Sequence, residues 1–333
     1  MSREHPVLVT FGEAMIRLAP PHHARLEQAT SFDVHVGGAE LNVAVTTARL
    51  GASARFVTRL PRSPLGRMVA NKAREQGVDA GFIAWTDSDR VGLYFVEFGA
   101  APRANAVLYD RRGSAMSELR AEDFVWRDIL RGADAFHTSG ITAALSPSAG
   151  EATLQAVAAA REAGMTVSVD VNYRARLWTP EEARVTMTRI AEKTNVLITT
   201  EEDAERVFEI CGGDYEEVAR TLARRFGHDV VAITLRDTPS VWRNSWSAIA
   251  YERSTDEAYQ GPRFDVELVD RVGAGDAFAG GFLFGYLQDG VRRGLDVGTA
   301  VSALKQTVPG DLSWATLDEV EKLLKGTGLR IDR

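Results

Sequence analysis

Near its start the chain carries a compact apolar run, PVLVTFG (Pro6 to Gly12), which reads as a buried strand closed by a glycine. From Gly37 to Gly51, in GGAELNVAVTTARLG, the period changes. A glycine turn now feeds apolar residues spaced three and four apart, and a second glycine stops them, as in an amphipathic helix. Strand-like and helix-like pieces alternate from there: ARFVTRL, GRMVANKAREQG, SAGEATLQAVAAAREAG, MTVSVDV, PEEARVTMTRIAE, NVLIT, EEDAERVFEI and DVVAITL. Apolar strands interleaved with helices predict an α/β fold with a mostly parallel central sheet and helices on both faces.

Two segments break this rhythm. MIRLAPP to SFDVHV (Met15 to Val36) and RVGLYFVEFGAAPRANAVLYDRRG (Arg90 to Gly113) alternate with period two around turn residues. They predict antiparallel strands in a small separate sheet, a lid formed by insertions at about 15–36 and 90–113. From Phe278 onward the chain reads as helices, with VPGDLSW as a loop between the last two. No repeat, low-complexity stretch or Pro- and Ser-rich linker interrupts it, so residues 1–333 read as a single α/β domain with a lid. One face of a free lid sheet would set Val34, Leu93 and Phe95 against water. That predicts a homodimer, or a higher homo-oligomer, joined through the lids.

Composition narrows the partners. Among 333 residues the net charge is −7 and the pI about 5.5, which argues against nucleic acid. Any anionic ligand must therefore be held by local groups. The single cysteine, Cys211, excludes an internal disulfide or a thiolate metal cluster and predicts a structural thiol in a reducing cytoplasm. No apolar run is long enough for a signal core or a membrane span.

The chemistry gathers at DRVGAGDAF, Asp270 to Phe278, which runs directly into the apolar AGGFLFGYLQ. A helix start leaves N–H groups without intrahelical partners and favours an anion. Gly273 and Gly275 let the backbone curl and let a ligand approach it. Asp276 would repel such an anion unless it handles a proton; the alternative is that it simply caps the helix. Other nucleotide and metal signatures are missing from the sequence. No Gly-Lys dipeptide offers a Walker A loop, Phe278 stands where a dinucleotide fingerprint needs glycine, and the histidines lack His-x-x-x-His spacing.

With GGAELN near one end and DRVGAGDAF near the other, the sequence resembles the ribokinase-type (phosphofructokinase B) family of sugar kinases along nearly its whole length. The resemblance implies a ribokinase-like fold in which Gly273, Ala274 and Gly275 supply N–H groups to the moving phosphoryl group. Asp276 would take the proton of the attacking hydroxyl. GGAELNVAV, GLYFVEF, YDRRGSA, SGITAALSP and DVNYRARLW are similar to the pattern of 2-keto-3-deoxygluconate kinases, which phosphorylate the 6-hydroxyl of a keto-deoxy sugar acid. Carried over by position, Gly38, Asn42, Tyr94, Tyr109, Arg111, Ile141, Arg174 and Asp311 would contact the sugar. Asn172, Arg174, Thr234, Arg236, Gly273 and Gly275 would contact ATP. Arg174 fits either ligand. A sugar carboxylate needs charge-assisted donors, and Arg103, Arg111, Arg112 and Arg174 lie in the relevant segments. Arg103 and Arg112 read as solvated surface arginines, since alternation along a strand puts neighbours on opposite faces.

The chain departs from the family pattern in two places. Thr200 and Asp203, in TTEEDAE, stand where relatives often carry the Asn-x-x-Glu of the hydrated Mg²⁺ network; Mg²⁺ use is still expected with ATP. Arg236 and Pro239, in ITLRDTPSVW, stand where a flexible nucleotide loop is expected. Asp270 matches a position that binds a monovalent cation such as K⁺ in some relatives, and an ion pair with Arg271 or another base is the alternative. The resulting expectation is an ATP-dependent kinase of 2-keto-3-deoxygluconate. A kinase of a neutral sugar such as fructose or ribose is the second reading, and a sugar-acid sensor without turnover the third.

Overall fold

The computed structural model describes residues 5–326, apart from the side chains of Thr238 and Pro239. Strand β1 (Val7–Phe11) passes at once into a hairpin, β2 (Met15–Ala19) and β3 (Asp33–Gly37), and the chain returns through α1 (Ala39–Arg49) to β4 (Ser53–Pro61). Helix α2 (Pro64–Glu75) and β5 (Ile83–Thr86) precede a second hairpin, β6 (Gly92–Glu97) and β7 (Ala106–Asp110). After the short α3 (Trp126–Ile129) come β8 (Ala135–Ser139), α4 (Gly140–Ala143), α5 (Pro147–Glu162), β9 (Thr166–Asp170) and α6 (Pro180–Ala191). The chain continues through β10 (Val196–Thr199), α7 (Glu201–Phe208), α8 (Tyr215–Phe226), β11 (Val230–Ser240) and β12 (Arg243–Glu252). It closes with β13 (Glu257–Gln260), β14 (Phe264–Glu267), α9 (Ala274–Lys305) and α10 (Leu317–Leu324).

The central sheet runs in the order β13-β12-β11-β10-β9-β8-β1-β4-β5, with β14 paired to β12. From β11 to β5 every pairing is parallel. Its strands are apolar throughout because both faces are covered. Leu8, Val196, Ile198, Val230 and Ala232 pack with Phe278 and Phe282 of α9 and Val43 of α1. Their neighbours Val9, Phe11, Leu197, Val231 and Ile233 pack on the other side with Leu154, Met187, Val207 and Leu222 from α5 to α8. This is the expected α/β architecture. Five strands, β5, β8 and β12 to β14, go beyond the predicted ones. His137 on β8 explains one of them. It is fully buried, hydrogen-bonded to Ser168 Oγ at 3.0 Å, and pushed down to about 3 by burial, so it sits neutral in a strand whose letters look polar.

The lid forms a second sheet, ordered β3-β2-β6-β7, and its strands fall within the two expected insertions. Each hairpin is antiparallel, but the seam between them, β2 with β6, is parallel. The expectation of antiparallel strands is corrected there, because β2 and β6 come from separate excursions that leave the core in the same direction. Two further expectations change. Cys211 is exposed rather than buried, in a loop after α7 ends on left-handed Glu209. The stretch around Arg236 is no loop: β11 runs through it and pairs with β12, Arg236 facing Trp246. Among the described residues no helix is long and apolar enough to cross a membrane.

Candidate active site

Helices α1 and α9, which carry the two glycine motifs, lie against each other. A side chain at Gly280 would meet Thr46 Cβ at 2.8 Å and the Val43 carbonyl at 2.9 Å, so glycine there sets the approach. That approach brings residues 234 apart in sequence into one bond: Asn42 Nδ2 donates to Asp276 Oδ2 at 2.7 Å. Asp276 does not cap its helix. The cap position is Gly273, left-handed at φ 85°, and no side chain closes the helix start.

The glycines here have different reasons. A Cβ on Gly273 would fall 2.1 Å from the Asp311 carbonyl, and one on Gly38 would fall 2.1 Å from the Glu13 carbonyl. At Gly275 a Cβ would meet nothing within 4 Å, so that side of the helix start faces open cleft. The N–H of Ala274 turns back to the Arg271 carbonyl at 3.2 Å. Its expected place beside the glycines as a donor to phosphate therefore meets a competing acceptor.

A cleft of about 650 Å³ opens at this point. Gly38, Asn42, Ile141, Gly273, Ala274, Gly275, Asp276 and Asp311 line its middle, Tyr94, Tyr109 and Arg111 its lid side, and Asn172, Arg174, Thr234 and Arg236 its far side. All the residues predicted from the sequence for sugar and ATP thus share one cavity. Tyr94 and Tyr109 are register partners on β6 and β7 and stack with centroids 5.8 Å apart. Arg111 lies over the Tyr109 ring at 5.6 Å and is ion-paired to the buried Glu13, which also accepts from Ser114 Oγ. Arg103 turns away to Glu97 and the His23 carbonyl, and Arg112 is exposed.

On the far side the carboxylates lack full compensation. Burial lifts Asp276 to about 6, against the lowering effect of the Asn42 bond and of Arg174. Asp170 is pushed well above the usual carboxylate range by burial and then by the charges of Asp276 and Asp203. Burial also raises Asp203, which accepts from Tyr173 N at 3.3 Å and whose own N–H donates to Thr200 Oγ1 at 3.1 Å. Crowded carboxylates facing a polar cleft suit a hydrated divalent cation. Among the described residues no three His, Cys, Asp or Glu side chains are grouped to ligate a metal directly, so contact would run through water.

Asp270 takes the foreseen ion pair, with a base other than Arg271. Its Oδ2 accepts from Arg17 at 2.6 Å, not from Arg271, and also from Gly310 N at 3.0 Å, while Oδ1 accepts from Val272 N at 3.0 Å. The carboxylate is thereby held by a base of the lid.

Sequence reasoning missed several lining residues. Glu13 sits in a segment where no chemistry was sought, Glu40 was passed over inside GGAELN, Asp170 ends β9, and Arg271 stands beside the residue that was chosen. Glu40 is lifted to about 7 by burial while Ser139 and Thr142 hold it, and a Cβ at Gly12 would strike its Oε2. An acidic residue at a helix start flanked by glycines was the available signal.

Residues 6–315 match the pfkB family of carbohydrate kinases. The chain is 42% identical over 327 residues to a 2-dehydro-3-deoxygalactonokinase of Haloferax volcanii, covering 98% of this chain and 99% of that protein. It superposes on a 2-dehydro-3-deoxygluconokinase of Thermotoga maritima with a TM-score of 0.94 at 43% identity, covering 98% of this chain and all (100%) of the other. A fructokinase of Xylella fastidiosa with bound ATP is more distant, at 25% identity and a TM-score of 0.80 over 96% of this chain and 98% of that one. The chain therefore belongs to the pfkB family of carbohydrate kinases.

Proposed function

We propose that the protein transfers the γ-phosphoryl group of ATP to the 6-hydroxyl of 2-keto-3-deoxygluconate. The observation that carries this reading is the Asn42 to Asp276 bond beside an uncapped, glycine-lined helix start. Asp276 accepts the hydroxyl proton as the oxygen attacks, and the N–H groups at the start of α9 meet the charge on the transferred phosphoryl. The Asn42 bond favours the charged form, which keeps the base ionised at neutral pH, and orients it. Tyr94, Tyr109 and Arg111 hold the sugar acid from the lid, with Gly38, Ile141 and Asp311 completing the pocket. Asn172, Thr234, Arg174, Arg236 and Arg271 line the ATP side, and the cations among them balance its phosphates. Mg²⁺, which family membership implies along with ATP, would be held through water by Asp170 and Asp203. It supplies charge neutralisation on the phosphates.

The names of the two relatives above 40% identity support a keto-deoxy sugar acid as substrate. A neutral sugar is the second reading, and one observation favours it: the Arg111 charge is already balanced by Glu13. A coupled ATP-turnover assay on a panel of both sugar acids and of fructose and ribose tests the choice. Turnover of neutral sugars alone would sink the acid reading. The lid is also proposed to join two chains, since Phe32, Val34 and Leu108 stand exposed on it.

A further inference from the structure

Arg17 stands on β2, a strand of the lid, yet its side chain is only 1% exposed and is among the largest fully buried in the molecule. Its two terminal nitrogens go to different carboxylates: Nη1 to Asp311 Oδ2 at 2.9 Å and Nη2 to Asp270 Oδ2 at 2.6 Å. The Phe98 ring covers the guanidinium at 5.2 Å. Both carboxylates belong to segments that build the α9 start. Asp270 opens that turn and accepts from Val272 N, and the Asp311 carbonyl is the atom that excludes any side chain from Gly273. Asp311 also accepts from Tyr94 OH, which lines the sugar side of the cleft. Buried Lys305 closes the set by donating to the Asp270 carbonyl at 2.8 Å. The Arg17 guanidinium thus meets two carboxylates while Lys305 holds the backbone between them, and His35 nearby is kept low by burial and by Arg17.

We propose that Arg17 is a positioning residue for phosphoryl transfer, its guanidinium pinning Asp270 to Asp311 so that the lid strand fixes the turn presenting the α9 start. The role rests on the kinase reading in one respect: the α9 start must handle the phosphate. With Arg17 supplying the positive charge beside Asp270, the role needs no monovalent metal cation there.

The cavity beside this cluster makes the role testable. About 220 Å³ in volume, it is lined by Arg17, Asp270, His35, Phe98 and Trp242, and admits a small planar cation. Arg17→Ala is expected to lower kcat roughly a hundredfold while the KM for ATP stays within about threefold, the signature of a misplaced rather than a missing contact. Low-millimolar guanidinium restores much of that rate and gives wild type nothing. Arg17→Lys falls between, since one ammonium cannot span two carboxylates. Wild-type kcat is the same in potassium and in tetramethylammonium buffers. Three results would each overturn the proposal: a folded Arg17→Ala with wild-type kcat, an inactive one that guanidinium does not rescue, or a wild type activated severalfold by potassium. If Arg17→Ala does not fold, Arg17→Lys decides, wild-type kcat overturning the role and a lowered kcat at wild-type melting temperature supporting it. A wild type that phosphorylates no sugar sinks the kinase reading separately. Guanidinium-dependent thermal stabilisation of Arg17→Ala, absent in wild type, then measures the link to Asp270.

Discussion

The start of α9 has buried charge on two sides, and the two sides are built in opposite ways. Toward the lid, the Arg17 guanidinium is matched by the carboxylates of Asp270 and Asp311, and Lys305 donates to the Asp270 backbone carbonyl. Toward the nucleotide side, Arg174 draws down Asp170, Asp203 and Asp276, and Lys305 also acts on Asp276, yet burial raises all three. Buried charge that is paired holds a shape, whereas buried charge left in excess costs stability until a ligand arrives. The difference separates scaffold from reaction centre within one cleft.

The sharpest way to break the comparison is at Asp276. Asp276→Asn is expected to lower kcat by roughly 10² to 10⁴ while sugar binding by calorimetry stays near wild type. A kcat within a few-fold of wild type would remove Asp276 from the chemistry.

Arg111→Ala comes next. It should raise the KM for the sugar acid about ten- to hundredfold, through a lost charge-assisted contact of about 1.5–3 kcal/mol, and change a neutral sugar far less. Equal losses on both would reduce Arg111 to a partner of Glu13.

The excess-charge side also predicts a gain. The folded state holds a proton at Asp276 up to about 6, whereas the unfolded chain releases it near 3.8. Its cost is absent below that lower value, grows as pH rises through about 6, and reaches at most ~3 kcal/mol at neutral pH. Asp276→Asn should therefore melt a few degrees higher than wild type at pH 7.5, a gain that disappears near pH 4. Removing a member of the paired side, by Arg17→Ala, should lower the melting temperature instead. Two shifts of the same sign would erase the distinction.

A smaller effect sharpens the same point. The acid limb of kcat/KM should have its midpoint near 6, activity falling as Asp276 takes up its proton. Asn42→Ala removes a bond to the charged form, so the limb should move to higher pH. An unmoved limb would mean that another group sets it. The lid pairing is checked by light scattering, where Val34→Asp should convert a dimer to a monomer at micromolar concentration, and a wild-type monomer would dismiss it.

The parts of this site legible in the sequence are those written in short stretches. GGAELN and DRVGAGDAF announce glycine-led helix starts, and Tyr94, Tyr109 and Arg111 came with the family resemblance of GLYFVEF and YDRRGSA. The role of Asp276 as cap or base was open in the letters, and the uncapped start at Gly273 decides against the cap. Glu13 and Asp170 gave no local sign, because each lies at a strand end whose neighbours in space come from other segments. The same holds for the hairpin of β11 and β12: the family resemblance implied a loop at Arg236 and Pro239, and nine cross-strand pairs with β12 take that stretch into the sheet instead.

By itself the sequence determined the alternation of strands and helices, the positions of the lid insertions and the two glycine motifs. These depend on backbone preferences and on apolar spacing, which act over a few residues. Only the tertiary structure decided which charges would be matched. Arg17 meets Asp270 and Asp311 across 253 and 294 residues, and Asn42 meets Asp276 across 234. A charge buried by folding takes its energy from distance and desolvation, and both are set by the packing of segments that no local pattern relates.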